Sequence, residues 1–411
     1  MKFLILTQYF PPETGAPQNR LLQLAKRLQK LGVEVTVLTA MPNYPQMHVY
    51  KGYRGKFYCF ELIEGIPVHR CWIYTGTSKA IILRLVNYFS FVKTSFLVGL
   101  YKLGKQDFIL CESPPLFLGI SAWLLSIIKG ARLIFNVSDL WPESAEKLGL
   151  VTNRTLLNMS TWLEEFLYRQ SVLVTGQTRG IVTNIASRFP RKPVFWLKNG
   201  VDIEELSAIP ADPAWRASHG FSEDDFLLLY AGILGHAQGL EVILKAANLL
   251  RNHPKIKFLL AGSGPLRDDL ISLKNNLQLT NVYFLDNRPK REVVPIIRAA
   301  DVALIPLRKL ELFKGAIPSK IFENLAMRKP ILLGVEGEAL ELFIDKAGAG
   351  WGFEPENAED LAARVFFLFE NQHLLNEAGN RGYAFLKQEF DLDKVASEFY
   401  QLLPMGTSGP K

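Results

Sequence analysis

Short apolar runs alternate with longer stretches of helical periodicity along almost the whole chain. This alternation predicts parallel strands joined by crossover helices, because each strand and the helix after it bury one face against the other. The pattern predicts strands over residues 2–7, 34–38, 67–71, 108–111, 132–137, 172–175, 226–230, 257–261, 282–285, 302–305 and 331–333. The last five restart the pattern of the first six. We therefore expect an α/β protein with two Rossmann-like, doubly wound parallel-sheet domains in series.

A domain boundary is predicted near Asn199 and Gly200, a turn signal that follows a β-like run. The charge balance changes sign at the same point. Residues 1–200 hold 24 Lys and Arg against 11 Asp and Glu, whereas residues 201–411 hold 23 against 29. We predict an N-terminal domain over 1–198, a C-terminal domain over 199–385 and a C-terminal helix within 386–411 that packs back on the N-terminal domain.

The basic first half predicts an anionic partner, which could be nucleic acid, an acidic membrane surface or a phosphorylated substrate. The basic residues are scattered among apolar helices rather than clustered in a stripe, so nucleic acid is not the expected partner. The three cysteines are odd in number and lack metal-ligand spacing, which favours reduced thiols in a cytosolic protein.

An apolar stretch at residues 80–103 carries Arg84, Lys93 and Lys102, each of which would be costly at a bilayer centre. It is either a buried domain helix or a helix that lies on the inner leaflet. The charge asymmetry and a second apolar stretch at residues 114–130 favour the leaflet. We therefore predict a cytoplasmic protein that is peripheral on the inner face of the cytoplasmic membrane.

Loops at the carboxyl ends of strands bind ligands in open α/β sheets. The first such loop, residues 9–20, has Gly15 just before a helix start, which allows phosphate to approach or simply forms a turn.

In the second half, the loop after the predicted strand at residues 226–230 reads YAGILGHAQGLE and has Gly232 and Gly235 between that strand and a helix. Its amides could bind an anion while His236 and Gln238 donate further hydrogen bonds, although a tight turn is the plain alternative.

The next two loops allow two interpretations each. AGSGP, at residues 261–265, fits close packing or a nearby ligand. Arg288 lies in a loop whose backbone could hydrogen-bond a base edge, or it is an ordinary surface arginine.

FKGAIPSKIFENLA, residues 313–326, predicts a helix start at Pro318 and Ser319, because proline tolerates the missing donor and serine can cap. The amides of a first helical turn attract anions, and Lys314 and Lys320 add charge. Glu323 lies four residues after Ser319, outside capping-box spacing, so its carboxylate could accept the hydroxyls of a ribose or remain solvated.

The chain resembles the retaining glycosyltransferases of family 4, which have the two-domain GT-B fold with the domains facing across a cleft. The motifs that carry the resemblance are KNGVD (198–202), AGSGP (261–265), AADVALIPL (299–307) and GAIPSKIFENLAMRKPIL (315–332). YFPPETGAPQNR, SDLWPES and YAGILGHAQGLE are similar to the bacterial polysaccharide enzymes that include the L-fucosamine transferases of O-antigen assembly. They also resemble the glycosyltransferase of cyanobacterial heterocyst-envelope polysaccharide.

The resemblance implies a role for several residues. Glu323 would hold the ribose of a nucleotide sugar, and the turn formed by Gly315, Ala316, Ile317, Pro318 and Ser319 would place its amides on the diphosphate and the donor sugar.

The departures from the family concern charge. Gly315 replaces the first motif glutamate, Ile233 and Gln238 replace the usual Arg and Lys, and Ser138 replaces a histidine before Asp139. Lys314, Lys320, His236 or backbone amides must then meet the phosphate charge.

The expected reaction is metal-independent, cofactor-free transfer of a hexose, from UDP-glucose or a related UDP-sugar, to a lipid-linked or oligosaccharide acceptor. It would serve exopolysaccharide or O-antigen synthesis, with Asp139 and Glu13 as candidate catalytic residues that orient acceptor or donor. Two alternatives stay open: a nucleotide-sugar 2-epimerase and a catalytically silent sugar-nucleotide-binding protein.

Overall fold

The computed structural model describes residues 1–13, 16–44, 47–76, 81–147 and 153–405. The chain forms two compact units. Unit 1 comprises Met1–Asn199 and Leu392–Lys411, and unit 2 comprises Gly200–Asp391. The division follows Asn199, one residue after the predicted boundary, and the chain returns to unit 1 at residue 392 rather than 386.

Unit 1 contains an eight-stranded sheet in the order β3-β4-β2-β1-β5-β6-β7-β8, in which only the β3–β4 pair is antiparallel among the pairs described. Its strands are β1 (Lys2–Leu6), β2 (Glu34–Ala40), β3 (Tyr58–Ile63), β4 (Ile66–Cys71), β5 (Phe108–Ser113), β6 (Arg132–Val137), β7 (Leu173–Gly176) and β8 (Val194–Trp196).

The helices of unit 1 cover both faces of this sheet. They are α1 (Ala16–Lys30), α2 (Ile81–Lys102), α3 (Leu118–Lys129), α4 (Glu143–Lys147), α5 (Arg154–Gln170), α6 (Arg179–Arg188) and α16 (Leu392–Met405). α1 and α16 bury apolar residues in one core cluster, and α2, α3, α5 and α6 bury theirs in another. α16 packs against α1, as the predicted return of the C-terminal helix requires.

α2 packs against α3, β2 and β4 and buries Phe91 and Val98, so one face of this helix belongs to the core of unit 1. The predicted contact of residues 80–103 with the inner leaflet stays a prediction. Over the ranges that the structure describes, no helix is long and apolar enough to cross a membrane.

Unit 2 contains a six-stranded parallel sheet in the order β11-β10-β9-β12-β13-β14. Its strands are β9 (Phe226–Ala231), β10 (Ile256–Ala261), β11 (Val282–Leu285), β12 (Val302–Pro306), β13 (Ile331–Gly334) and β14 (Gly350–Gly352). Its helices are α7 (Ile203–Ser207), α8 (Trp215–Ser218), α9 (Glu241–Leu249), α10 (Arg267–Asn276), α11 (Lys290–Ala299), α12 (Lys320–Ala326), α13 (Glu338–Leu340), α14 (Ala358–Glu370) and α15 (His373–Glu389).

Each sheet has a topological switch point, where successive crossovers leave in opposite directions. In unit 1 it lies between β1 and β5, and in unit 2 between β9 and β12. Ligands of open α/β sheets bind at the carboxyl ends of the strands beside such a point. The two switch points therefore locate the loops that matter most for function.

Candidate functional site

The loops after β9 and β12 meet at the switch point of unit 2. Arg308, just beyond β12, joins them: its amide donates to the carbonyl of Ala237 at 2.9 Å and its Nε to the carbonyl of His236 at 2.6 Å. Its guanidinium also pairs with Glu241 and Glu356. Arg308 was not predicted from the sequence, and its contacts assign it to holding the loop in place.

Lys320, the first residue of α12, reaches the end of β9. A Cβ added to Gly232 would lie 2.3 Å from Lys320 Cε, and Nζ stands 5.2 Å from the centroid of the Tyr230 ring. Burial lowers the pKa of the Lys320 amine, and the charge of Glu323 opposes that shift. Within the described residues Lys320 makes no salt bridge. A side chain at position 232 would therefore displace the Lys320 amine from the strand end.

Lys314 is placed differently from Lys320. It lies on an exposed 3-10 turn, and its Nζ pairs with Glu311 at 2.7 Å. Its side chain is half exposed. The sequence predicted that both lysines add positive charge for the phosphate, whereas in the fold Lys320 lies against Gly232 and Lys314 lies at the surface.

The turn before α12 keeps backbone donors available. The amides of Ile317 and Ser319 donate to no acceptor in the described part of the chain, whereas that of Ala316 donates to Phe313. α12 begins directly after Ser319, as predicted, but Ser319 makes no side-chain capping hydrogen bond. A Cβ on Gly315 would meet no atom within 4 Å, so packing does not explain the missing glutamate there.

Glu323 lies one turn into α12 and is half-buried. The opposite face of the helix buries Ile321, Phe322 and Leu325 in unit 2. Glu323 and Lys320 are close enough for their charges to interact. The predicted ribose contact of Glu323 stays a prediction.

The glycines of AGSGP serve close packing. A Cβ on Gly262 would lie 1.9 Å from the carbonyl oxygen of Gly232, and one on Gly264 would lie 2.3 Å from that of Leu234. Leu234 and Ser263 are also joined by a backbone hydrogen bond of 2.9 Å. Of the two interpretations for this loop, the geometry favours packing.

The remaining predicted donor residues lie on the same carboxyl edge. Gly235 is buried, His236 is exposed and Gln238 is half-buried, all on the loop after β9. Arg288, after the edge strand β11, is exposed and pairs with Glu292 one turn away. That contact is typical of a surface arginine, and the base contact stays untested.

Glu13 ties together two loops of unit 1. It is 1% exposed, and its carboxylate accepts hydrogen bonds from the amides of Phe10 (3.1 Å), Asn43 (2.7 Å) and Tyr44 (2.8 Å). Burial raises the pKa of Glu13, while these amides and Arg70 oppose the rise. These contacts favour a positioning role for Glu13, and its predicted catalytic role stays a prediction.

A buried ion pair lies at the switch point of unit 1 and escaped the sequence analysis. Arg20 of α1 donates to Glu112 of β5 at 2.7 Å, with side chains only 8% and 3% exposed. Glu112 also accepts from Asn136 (2.5 Å) and from the hydroxyl of Ser138, and Gln177 donates to Ser138 at 2.6 Å. Arg20 and Glu112 are 92 residues apart, so no local spacing could have paired them.

Asp139 follows β6 and is exposed, and its carboxylate accepts a hydrogen bond from Ser144 at 2.9 Å. Gly15, the other predicted residue of unit 1, lies outside the described residues. No group of three His, Cys, Asp or Glu side chains is placed to hold a metal ion, as far as the structure is described.

Comparison with known proteins covers both units. The family "Glycosyl transferase 4-like domain" matches residues 15–200, and "Glycosyl transferases group 1" matches residues 211–385. The chain is 26% identical over 378 residues to WcaI of Escherichia coli K12, a glycosyl transferase assigned to colanic acid biosynthesis, across 89% of this chain and 91% of WcaI.

Solved structures share the fold over the full length. Sucrose-phosphate synthase from Thermosynechococcus elongatus has a TM-score of 0.73 at 16% identity and covers 98% of each chain. HepE from Anabaena, solved with UDP and glucose, has a TM-score of 0.68 at 18% identity and covers 98% of this chain and 100% of HepE.

Two doubly wound parallel-sheet units with these likenesses define the GT-B fold, which confirms the predicted fold class. The two family matches together span most of the chain, one in each unit, and both are families of glycosyltransferases.

Proposed function

We propose that this protein is a retaining glycosyltransferase that moves a hexose from a UDP-sugar, UDP-glucose first among them, to a lipid-linked glycan in exopolysaccharide or O-antigen synthesis. Unit 2 binds the donor and unit 1 the acceptor. The similarity to WcaI, which is assigned to colanic acid biosynthesis, supports the choice of pathway. The similarity to HepE, which was solved with UDP and glucose, supports the choice of donor.

The observation that carries the proposal is the position of Lys320 against Gly232. The family's usual Arg and Lys are Ile233 and Gln238 here, so the donor diphosphate needs another cation. Lys320 supplies it at the switch point, and the amides of Ile317 and Ser319 supply hydrogen bonds beside it. Burial disfavours the charged amine until an anion binds, which makes this lysine selective for an anionic ligand.

The expected chemistry follows from these donors. The acceptor hydroxyl oxygen attacks the anomeric carbon on the face from which the diphosphate leaves, so that the configuration is retained. The bond between the anomeric carbon and the β-phosphate oxygen breaks, and the hydroxyl proton passes to that phosphate oxygen. Lys320 and the amides stabilise the charge that develops on the diphosphate.

The ribose contact is tested by titrating UDP and 2′-deoxy-UDP into the wild type and Glu323→Ala. The wild type should bind UDP about tenfold more tightly than 2′-deoxy-UDP, because Glu323 accepts hydrogen bonds from the ribose hydroxyls. Glu323→Ala should lose that preference, whereas Glu370→Ala, an exposed carboxylate at the end of α14, should keep it. An unchanged preference in Glu323→Ala would remove the ribose assignment.

The stereochemistry is tested separately. The enzyme should release α-glucose first when it hydrolyses UDP-glucose slowly in the absence of acceptor, as followed by proton NMR. Initial β-glucose would show inversion, and UDP-N-acetylmannosamine formed from UDP-N-acetylglucosamine would show an epimerase.

A further inference from the structure

Exposed apolar side chains are distributed unevenly over the two helical faces of unit 1. The described side chains of α1 and α16 include no exposed large apolar residue. The opposite face, formed by α2, α3 and α5, presents Val86, Phe89, Tyr101, Ile127, Ile128, Met159 and Trp162. Single exposed apolar residues are normal, but a concentration on one face marks an interaction surface.

The centre of this face is an aromatic cluster on α3 and α5. Trp162 stacks on Phe166 with centroids 5.5 Å apart and ring planes 13° apart, and Phe166 meets Trp123 edge-on at 5.0 Å. Trp162 is 64% exposed and Met159 is 63% exposed. Residues 159, 162, 166 and 169 are spaced three and four apart, so they form one stripe along α5.

The stripe ends at a basic cavity of about 530 Å³. The cavity is lined by Arg169, Arg188, Phe189, Pro190, Arg191 and Lys192. Two carboxylates offset part of this charge, since Glu165 pairs with Arg169 and Glu164 with Arg188, each at 2.7 Å. Four cations against two carboxylates leave the cavity positive, and Arg191 is exposed at its rim.

We propose that the α2, α3 and α5 face docks on a bilayer leaflet that contains anionic phospholipid. Trp162 and Met159 enter the boundary between headgroups and acyl chains, and the cavity takes a lipid phosphate. Charge complementarity selects this partner: the surface joins exposed aromatics to a cation-lined cavity within a half-chain that carries 24 basic and 11 acidic residues. The inference rests on the proposed function, because a lipid-linked acceptor requires the enzyme at a membrane.

The test is co-sedimentation of the full chain with vesicles of phosphatidylcholine, with and without phosphatidylglycerol. The wild type should bind only the anionic vesicles, and rising salt should release it. Trp162→Ser should lower the partition coefficient roughly tenfold, because the inserted apolar area is lost. Arg191→Ala should lower it roughly fivefold, the effect expected of one cation near an anionic surface.

Phe367→Ala and Arg251→Ala are matched controls, because both residues are exposed in unit 2, and they should leave vesicle binding unchanged. Thermal unfolding and UDP affinity of each variant separate loss of docking from loss of fold or of donor binding.

Equal binding to both vesicle types, or equal binding by Trp162→Ser and the wild type, would overturn the docking surface. A dimer in light scattering that Trp162→Ser dissolves would assign the face to a second copy instead. UDP binding without vesicle binding would overturn the docking surface and leave the proposed donor site standing.

Discussion

The two switch points occupy the same topological position in their sheets and are filled in opposite ways. In unit 1, Arg20 and Glu112 form a buried ion pair at this position, although Nε and Nη1 of Arg20 have no hydrogen-bond partner in the described residues. In unit 2, Gly232 leaves room for Lys320, which has no salt-bridge partner among the described residues. Removing one partner of a buried ion pair is costly, whereas a half-buried cation without a salt bridge is suited to an anionic ligand.

The loops near the two switch points show the same difference. In unit 1 the carboxylate of Glu13 accepts three backbone amides. In unit 2 the amides of Ile317 and Ser319 find no acceptor in the described part of the chain. Unit 1 therefore satisfies these three amides internally, whereas unit 2 leaves two amides without an acceptor in its described residues.

The largest effect is expected from breaking the ion pair between Arg20 and Glu112 in unit 1. Glu112→Ala leaves Arg20 buried without its carboxylate, which should lower the stability of unit 1 by about 3–5 kcal/mol. Urea denaturation measures the change. Glu292→Ala, which breaks the exposed pair with Arg288, should cost less than about 0.5 kcal/mol. Similar losses in the two variants would contradict the distinction between a paired core and a solvated surface.

The role of Lys320 at the switch point of unit 2 is tested by replacing it and measuring UDP affinity. Lys320→Met should weaken UDP binding about tenfold to a hundredfold, because it removes a hydrogen bond to a charged group worth about 1.5–3 kcal/mol. Lys314→Met should change UDP affinity less than about twofold, since Lys314 pairs with Glu311 at the surface. Isothermal titration calorimetry gives both numbers, and equal losses would show that the two lysines share the phosphate charge.

The affinity for UDP should also depend on pH through Lys320. Its pKa is lowered by burial, and only the protonated amine attracts the diphosphate. UDP affinity should therefore fall as pH rises on the alkaline side, before the ordinary lysine pKa of about 10.4 is reached. Lys320→Met should lack that decrease. In the unliganded protein the same variant should keep or raise the melting temperature, because the cost of burying a charge disappears.

The smallest effect is expected at Gly315, where the structure has open space. Gly315→Ala should change stability by less than about 1 kcal/mol, and any change should stabilise by restricting the unfolded chain. Gly337→Ala is the contrasting case: its φ is 76°, and its Cβ would lie 2.2 Å from the carbonyl oxygen of Lys314. It should lower the melting temperature clearly. A large loss in Gly315→Ala would show that packing, and not the donor site, selects glycine there.

The sequence alone determined the fold class and all eleven predicted strands, because strands buried on both faces appear as continuous apolar runs. It missed β3, an edge strand with alternating exposure, and β14, three residues with two glycines, and it gave β8 only as the β-like run before Asn199. It also named the residues of the turn before α12, since helix starts and family motifs are local patterns.

Only the tertiary structure decided which of these residues meet. It separated Lys320 from Lys314, assigned the AGSGP glycines to packing and paired Arg20 with Glu112 across 92 residues. It also brought the stripe of α5 beside the basic cavity. The physical reason is that charge pairing and burial depend on distances set by strand order, which sequence spacing does not contain.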